Sequence, residues 1–192
     1  MTKARDLANA STALSAVSAT ELGYVDGVTS AIQTQIDTKL ATATAASTYA
    51  PQTAPTLTAP IVIAPEERTT VSATAAASTV NFDASTQGVL YYTSNATANW
   101  TLNVRGTSSA TLSSILAVGD SITVSFLVTN GSTAYYQTAF NIDGAAVTPK
   151  YSGGTAPASG NASSIDAYTY TIIKTAATPT YTVFGAGPVK YA

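Results

Sequence analysis

Between Tyr49 and Pro65 a proline recurs at every fourth or fifth position, as Pro51, Pro55, Pro60 and Pro65. A helix cannot run through such a stretch. Each proline lacks the amide hydrogen that a helix interior needs, and each pushes the residue before it into extended backbone. The segment from Ala46 to Pro65 is therefore expected to be extended, and at roughly 3.3 Å per residue it spans about 65 Å. It divides the chain of 192 residues into a helical beginning and a β-rich remainder. The expected division is an anchor segment over 1–17, a helical stem over 18–43, an extended Pro/Thr/Ala-rich linker over 44–68 and a β head over 69–192. Leu57, Ile61 and Ile63 in the linker are apolar side chains that need a cover, and neighbouring chains wound about one axis supply it.

In the stem, Ser18-Ala19-Thr20-Glu21 has the form of a capping box, in which serine and glutamate satisfy each other's orphan amides at a helix start. Gly23 and Asp26-Gly27 predict a bend near Tyr24 to Gly27, because glycine in a helix costs about 1 kcal/mol relative to alanine. A second helix is expected from Val28 to Leu40, with Val28, Ile32, Ile36 and Leu40 as an i, i+4 ladder and Val25 as its forerunner. Such a stripe is narrow, and a lone helix of about 13 residues is marginal in water. Its partners are expected to be copies of itself, since β-branched residues along a seam suit more than two strands. The competing expectation, that the helix folds back onto the β domain as ordinary core, is disfavoured by the extended segment that follows.

From Thr69 onward short β-rich runs alternate with turn signals, the pattern of a mainly β domain read here as an antiparallel sandwich. Expected strands are Thr79 to Phe82, Val89 to Ser94, Trp100 to Arg105, Ser121 to Thr129, Ala134 to Ile142, Tyr168 to Thr175 and Tyr181 to Phe184. Asn130-Gly131 and Asp143-Gly144 read as tight turns. Tyr151 to Ser164, rich in Gly and Ser, reads as the longest loop.

The available chemistry is narrow. There are 8 Lys+Arg and 10 Asp+Glu, and neither His nor Cys, so zinc sites of the usual ligands, thiol nucleophiles and imidazole bases are excluded. No cofactor or metal is expected. Charged residues are 9% of the chain, too few for a basic face that would neutralise the phosphates of nucleic acid. No apolar run reaches membrane-spanning length, and the first residues lack the apolar core of a signal peptide, so assembly in a cytoplasm without membrane insertion is expected. A glycosidase needs two facing carboxylates. The head offers Asp83, Asp120, Asp143 and Asp166, of which Asp120 and Asp143 adjoin glycines and read as turn residues bonding their own backbone. Trp100, Tyr92, Tyr136 and Tyr151 are the candidates for stacking on sugar rings; strand packing with a wet phenol at the rim is the competing reading.

The segment Ala19-Thr20-Glu21-Leu22-Gly23-Tyr24-Val25-Asp26-Gly27-Val28-Thr29-Ser30-Ala31-Ile32-Gln33-Thr34-Gln35-Ile36-Asp37 resembles a module of bacteriophage fibre and other virion proteins, TELGYLDGVTSAIQTQID, with Val25 where Leu is common. Ala54-Pro55-Thr56-Leu57-Thr58 looks like the extended repeat that follows it in such fibres, with Leu57 in place of a frequent Phe. In the head, Asn99-Trp100-Thr101-Leu102-Asn103-Val104-Arg105-Gly106 and Tyr168-Thr169-Tyr170-Thr171-Ile172-Ile173-Lys174 resemble tail-fibre and virion structural proteins of marine cyanophages. The resemblance implies a homotrimeric virion fibre, docked on tail, neck or capsid proteins by its amino-terminal end, with Arg5 and Leu7 in the anchor, and presenting its β head toward host-surface polysaccharide. Tail fibres usually carry longer shafts, so a head or neck decoration fibre or adaptor is a second implication, and a depolymerase a remote one. The trimer is expected to rest on Val25, Val28, Ile32, Ile36 and Leu40, continued by Leu57, Ile61 and Ile63. Ile32→Asp with Ile36→Asp is therefore expected to abolish trimers in sedimentation; an unchanged mass contradicts the ladder.

Overall fold

The computed structural model describes residues 2–14, 17–24, 26, 28, 31, 32, 34, 63 and 65–192. The chain divides between Ile63 and Ala64 into two compact units.

The first unit contains α1 (Lys3–Leu14) and α2 (Ala19–Gly23). The capping box of α2 is formed in both directions: Ser18 N–H donates to Glu21 Oε2 at 2.8 Å, and Glu21 N–H donates to Ser18 Oγ at 3.1 Å. The Ser18 N–H, and the Ser18 hydroxyl donating to the same Oε2 at 2.7 Å, hold the Glu21 carboxyl below its ordinary pKa. The helix stops at Gly23, and Tyr24 and Asp26 follow in turns closed by bonds to the Glu21 and Gly23 carbonyls. Arg5 and Leu7 lie exposed on α1. Val28, Ile32 and Ile63 are exposed to 38%, 49% and 88%. Val25, Ile36, Leu40, Leu57 and Ile61, and most of the expected second helix and linker, lie outside the described residues.

The second unit is mainly β. Its strands are β1 (Thr69–Ala75), β2 (Ser78–Asp83), β3 (Val89–Asn95), β4 (Trp100–Arg105), β5 (Ser121–Asn130), β6 (Gln137–Ile142), β7 (Ala145–Ala146), β8 (Lys150–Tyr151), β9 (Ser164–Ala176) and β10 (Thr180–Tyr191), with a short helix, α3 (Leu112–Ile115), between β4 and β5. They form two sheets, ordered β1-β3-β5-β9-β10-β8 and β2-β4-β6-β7. Through β6 the chain passes from one sheet to the other at every strand, and within each sheet those strands run parallel.

This corrects the expectation of an antiparallel sandwich, which holds only for β5–β9, β9–β10 and β6–β7. Parallel neighbours need a long crossover connection. Here each strand of one sheet is the crossover for the other, so the short links that suggest hairpins actually change sheets. Asn130-Gly131 is corrected in the same way. It leads from β5 into the opposite sheet, and Asn130 is buried, donating through Nδ2 to the Tyr135 carbonyl at 3.0 Å. Asp143-Gly144 does make a tight turn, between β6 and β7, with φ of 52° and 82°; positive φ at both central residues suits a two-residue hairpin.

The sheets share one core. Trp100 of β4 meets Phe126 of β5 and Tyr168 of β9 edge-on at 6.0 and 5.9 Å, and Phe140 of β6 lies 4.5 Å from Tyr170 of β9. Edge-to-face pairs add about 0.5–1.5 kcal/mol each beyond the area they bury. Gly185 of β10 leaves room for this packing, since a Cβ there would stand 2.8 Å from the Tyr170 ring and 2.9 Å from that of Tyr151. The Gln137 backbone lies within reach of the Tyr168 phenol and its side-chain amide within reach of the Tyr170 phenol, neither forming a hydrogen bond of good geometry.

Burial, above all, pushes the Tyr168 and Tyr170 hydroxyls above the ordinary phenol pKa. The folded chain therefore keeps these protons where an unfolded chain has begun to lose them, above about pH 10. Their contribution to stability is fully present below that value and is lost as pH rises toward the folded-state values. Denaturation by urea is expected to show an unfolding free energy that falls above about pH 10, by up to roughly 1.4 kcal/mol per pH unit for each phenol. Tyr170→Phe is expected to make the fall shallower; a profile flat to about pH 12 contradicts the burial.

Candidate functional site

Parallel, in-register pairing stacks like residues into rows across β2, β4 and β6. Val80, Leu102 and Phe140 form one inward row, and Phe82, Val104 and Ile142 another. Strand alternation sends the intervening residues to the outer face, where Asn81, Asn103 and Asn141 align. Asn103 Nδ2 donates to Asn81 Oδ1 at 2.8 Å, while Asn103 Oδ1 accepts from Gly144 N–H at 2.8 Å. One step further, Arg105 Nε donates to Asp83 Oδ1 at 2.6 Å in a half-exposed ion pair. Such a pair contributes about 0–1 kcal/mol. Among the described residues, the two terminal guanidinium nitrogens of Arg105 find no hydrogen-bond partner.

Asp143, at the β6–β7 turn, points its carboxylate at the start of α3. Oδ1 accepts from Leu112 N–H at 2.6 Å and Oδ2 from Ser113 N–H at 3.1 Å, and Thr111 Oγ1 takes the Ser114 N–H at 3.1 Å. At the other end the buried Lys174 Nζ donates to the carbonyls of Ser113 and Leu116 at 2.7 and 2.8 Å. The amides and carbonyls that a helix leaves orphaned are thus met from outside it.

Between β4 and α3 the chain folds into a tight loop. Thr107 N–H bonds the Ala110 carbonyl, and Thr107 Oγ1 accepts from the amides of Ser109 and Ala110 at 3.2 and 3.0 Å. A Cβ on Gly106 would stand 2.8 Å from the Ala110 and Thr111 carbonyl oxygens, so the loop closes only over glycine. Loop, strand end and turn border an open hollow of about 340 Å³ lined by Asn103, Arg105, Asp143, Gly144 and the loop residues Thr107 to Thr111. On the far side of Asp143 lies a more apolar groove of about 580 Å³, lined by Ile142, Val147, Pro179 and Tyr181 among others.

The residues expected to stack on sugars lie elsewhere. Trp100 is 1% exposed and belongs to the core, which corrects its assignment. Tyr92 turns inward, edge-on to Phe126 at 5.3 Å, and Tyr151 packs on Tyr170 at 6.4 Å, so both rings serve the core. Tyr136 is half-buried ahead of β6, its N–H donating to Asn99 Oδ1 at 3.0 Å.

Each carboxylate of the β domain discussed above is engaged by the fold. Asp83 pairs with Arg105, and Asp120 Oδ2 accepts from Ala117 N–H at 2.9 Å, as a turn residue should. Asp143 does not bond its own turn but caps α3 from 31 residues away, which corrects that expectation. Asp166, fully buried, accepts from Asn161 N–H at 2.9 Å, Asn161 Nδ2 at 2.8 Å and Asn130 Nδ2 at 3.1 Å, pinning the long loop ahead of β9. Among the described residues no group of three or more acidic, His or Cys side chains is placed to hold a metal ion.

Sequence reasoning missed Arg105 and the Thr107–Thr111 loop, which carries no recognisable motif and is built of residue types common throughout the chain. Comparison with protein-family models, with curated proteins and with solved structures finds no match.

Asp143→Ala is expected to leave the first amides of α3 unmet and to cost about 1–3 kcal/mol in urea denaturation. Amide exchange at Leu112 and Ser113 is expected to quicken with it; unchanged exchange at both positions contradicts the cap.

Proposed function

We propose that this chain is a structural component of a bacteriophage virion. It is a short fibre of three identical chains that docks by its amino-terminal end and presents the β domain to glycans of the host surface. The observation that carries this reading is the virion-type module over residues 19–37, whose ladder side chains Val28 and Ile32 stand exposed in the single chain. Apolar side chains spaced along one stripe and left in water favour association with copies of themselves. The β domain, by contrast, closes a core of its own.

Further support comes from the acids. A depolymerase needs two carboxylates free to exchange protons across a sugar bond, whereas Asp83, Asp120, Asp143 and Asp166 each already take hydrogen bonds from the fold. A non-enzymatic role is the better fit. With few charges on its surface, the chain holds contacts that depend little on ionic strength. Three weak heads on one stem gain avidity through effective concentration. The second reading, a head or neck decoration fibre or adaptor without receptor duty, shares the trimer and differs in its place on the particle.

Immunogold labelling of intact particles with antibody against the β domain tests the reading. Label at the tail is expected. Label on the capsid or neck favours the second reading, and particles without label contradict a virion role.

A further inference from the structure

We infer that the hollow beside Arg105 is a binding site for a neutral sugar, held through two adjacent hydroxyls. The inference rests on the glycan-attachment reading above and gives it a place and a chemistry.

The donors and acceptors are complementary to a diol. The terminal nitrogens of Arg105 are hydrogen-bond donors without a partner among the described residues. The Asp143 oxygens each take one backbone N–H, and a carboxylate has about four acceptor sites in all. One hydroxyl of a vicinal pair accepts from the guanidinium while its neighbour donates to the carboxylate. The hydroxyls of Thr107, Ser108, Ser109 and Thr111 line the same hollow and both donate and accept.

Charge selects against anionic ligands at this site. Arg105 is flanked by Asp83, its ion-pair partner, and by Asp143 across the hollow. The cluster carries one positive and two negative groups, so an anion such as phosphate or sulfate meets net repulsion. An uncharged polyol meets no such repulsion. The volume of about 340 Å³ lies at the low end for ligand sites, the scale of a sugar unit at a chain end rather than of a buried oligosaccharide.

The walls are set before anything binds. The loop is closed on Gly106 and held by Thr107 Oγ1, Asp143 is fixed by two amides of α3, and Gly144 is tied to Asn103. A site ordered in advance loses little entropy on binding, which suits weak contacts multiplied across a fibre.

The test is amide-shift NMR on the full-length chain with methyl glucoside, methyl galactoside and methyl mannoside as neutral probes, and glucuronate and sodium sulfate as charged ones. At least one neutral probe is expected to shift the amides of Thr107 to Thr111 and Gly144 saturably. Arg105→Gln, and separately Ser109→Trp at an exposed loop position that fills the mouth of the hollow, are each expected to weaken binding by about tenfold or more, with the remaining amides unmoved. Saturable shifts from sulfate or glucuronate stronger than from every neutral probe overturn the assignment in favour of an anion site. Immobilised host envelope polysaccharide separates the two levels of the reading. If both variants bind it as the unaltered chain does, this site falls and attachment stands. If the unaltered chain binds neither the polysaccharide nor any probe, attachment itself falls.

Discussion

The in-register parallel pairing of β2, β4 and β6 is the constraint on which the rest of the β domain depends. A parallel register repeats position by position, so one apolar choice per strand becomes a row. Val80, Leu102 and Phe140 face the other sheet together, and Asn81, Asn103 and Asn141 face outward together. The same stacking sets Arg105 beside Asp83 and ends β6 so that Asp143 turns toward α3. Core and candidate site are therefore two faces of one register, and a slip by a single residue would exchange them.

A chain with so few charges uses them sparingly and at junctions. Asp143 and Lys174 hold the two ends of α3, Asp166 holds the loop ahead of β9, and Arg105 with Asp83 closes the outer row. Burying a carboxylate is costly unless hydrogen bonds replace its water, and the three bonds to Asp166 are that replacement. Gly160 packs against this cluster so closely that a Cβ would collide with the Tyr135 carbonyl. The long loop is therefore tied down at its β9 end although its composition suggests a free one.

Much of the local structure was legible in the residues. Ser18 and Glu21 announced the start of α2, and Trp100–Arg105 was bounded correctly by its own alternation and by Gly106. β1 escaped because Thr69–Ala75 is an edge strand whose single large apolar residue, Val71, is exposed. β10 ran past Phe184 because Gly185 and Gly187-Pro188 read as a stop. Topology was not legible for a deeper reason. Parallel sheets announce themselves by continuous apolar runs only when both faces are buried. Each sheet here keeps one face in solvent, so parallel strands carry the alternation usual for antiparallel ones. The hollow was hidden for the same kind of reason: Gly144 and Asn103 are 41 residues apart and meet only once the coil is wound.

Nuclear Overhauser contacts across the second sheet of the unmodified chain test this most directly. Backbone protons of Leu102 are expected to lie next to those of both Val80 and Phe140, and those of Val104 next to Phe82 and Ile142, in the same chain direction. Contacts that run in the opposite direction along either neighbour, or that are displaced by one residue, would dismantle the rows and with them both the shared core and the site beside Arg105.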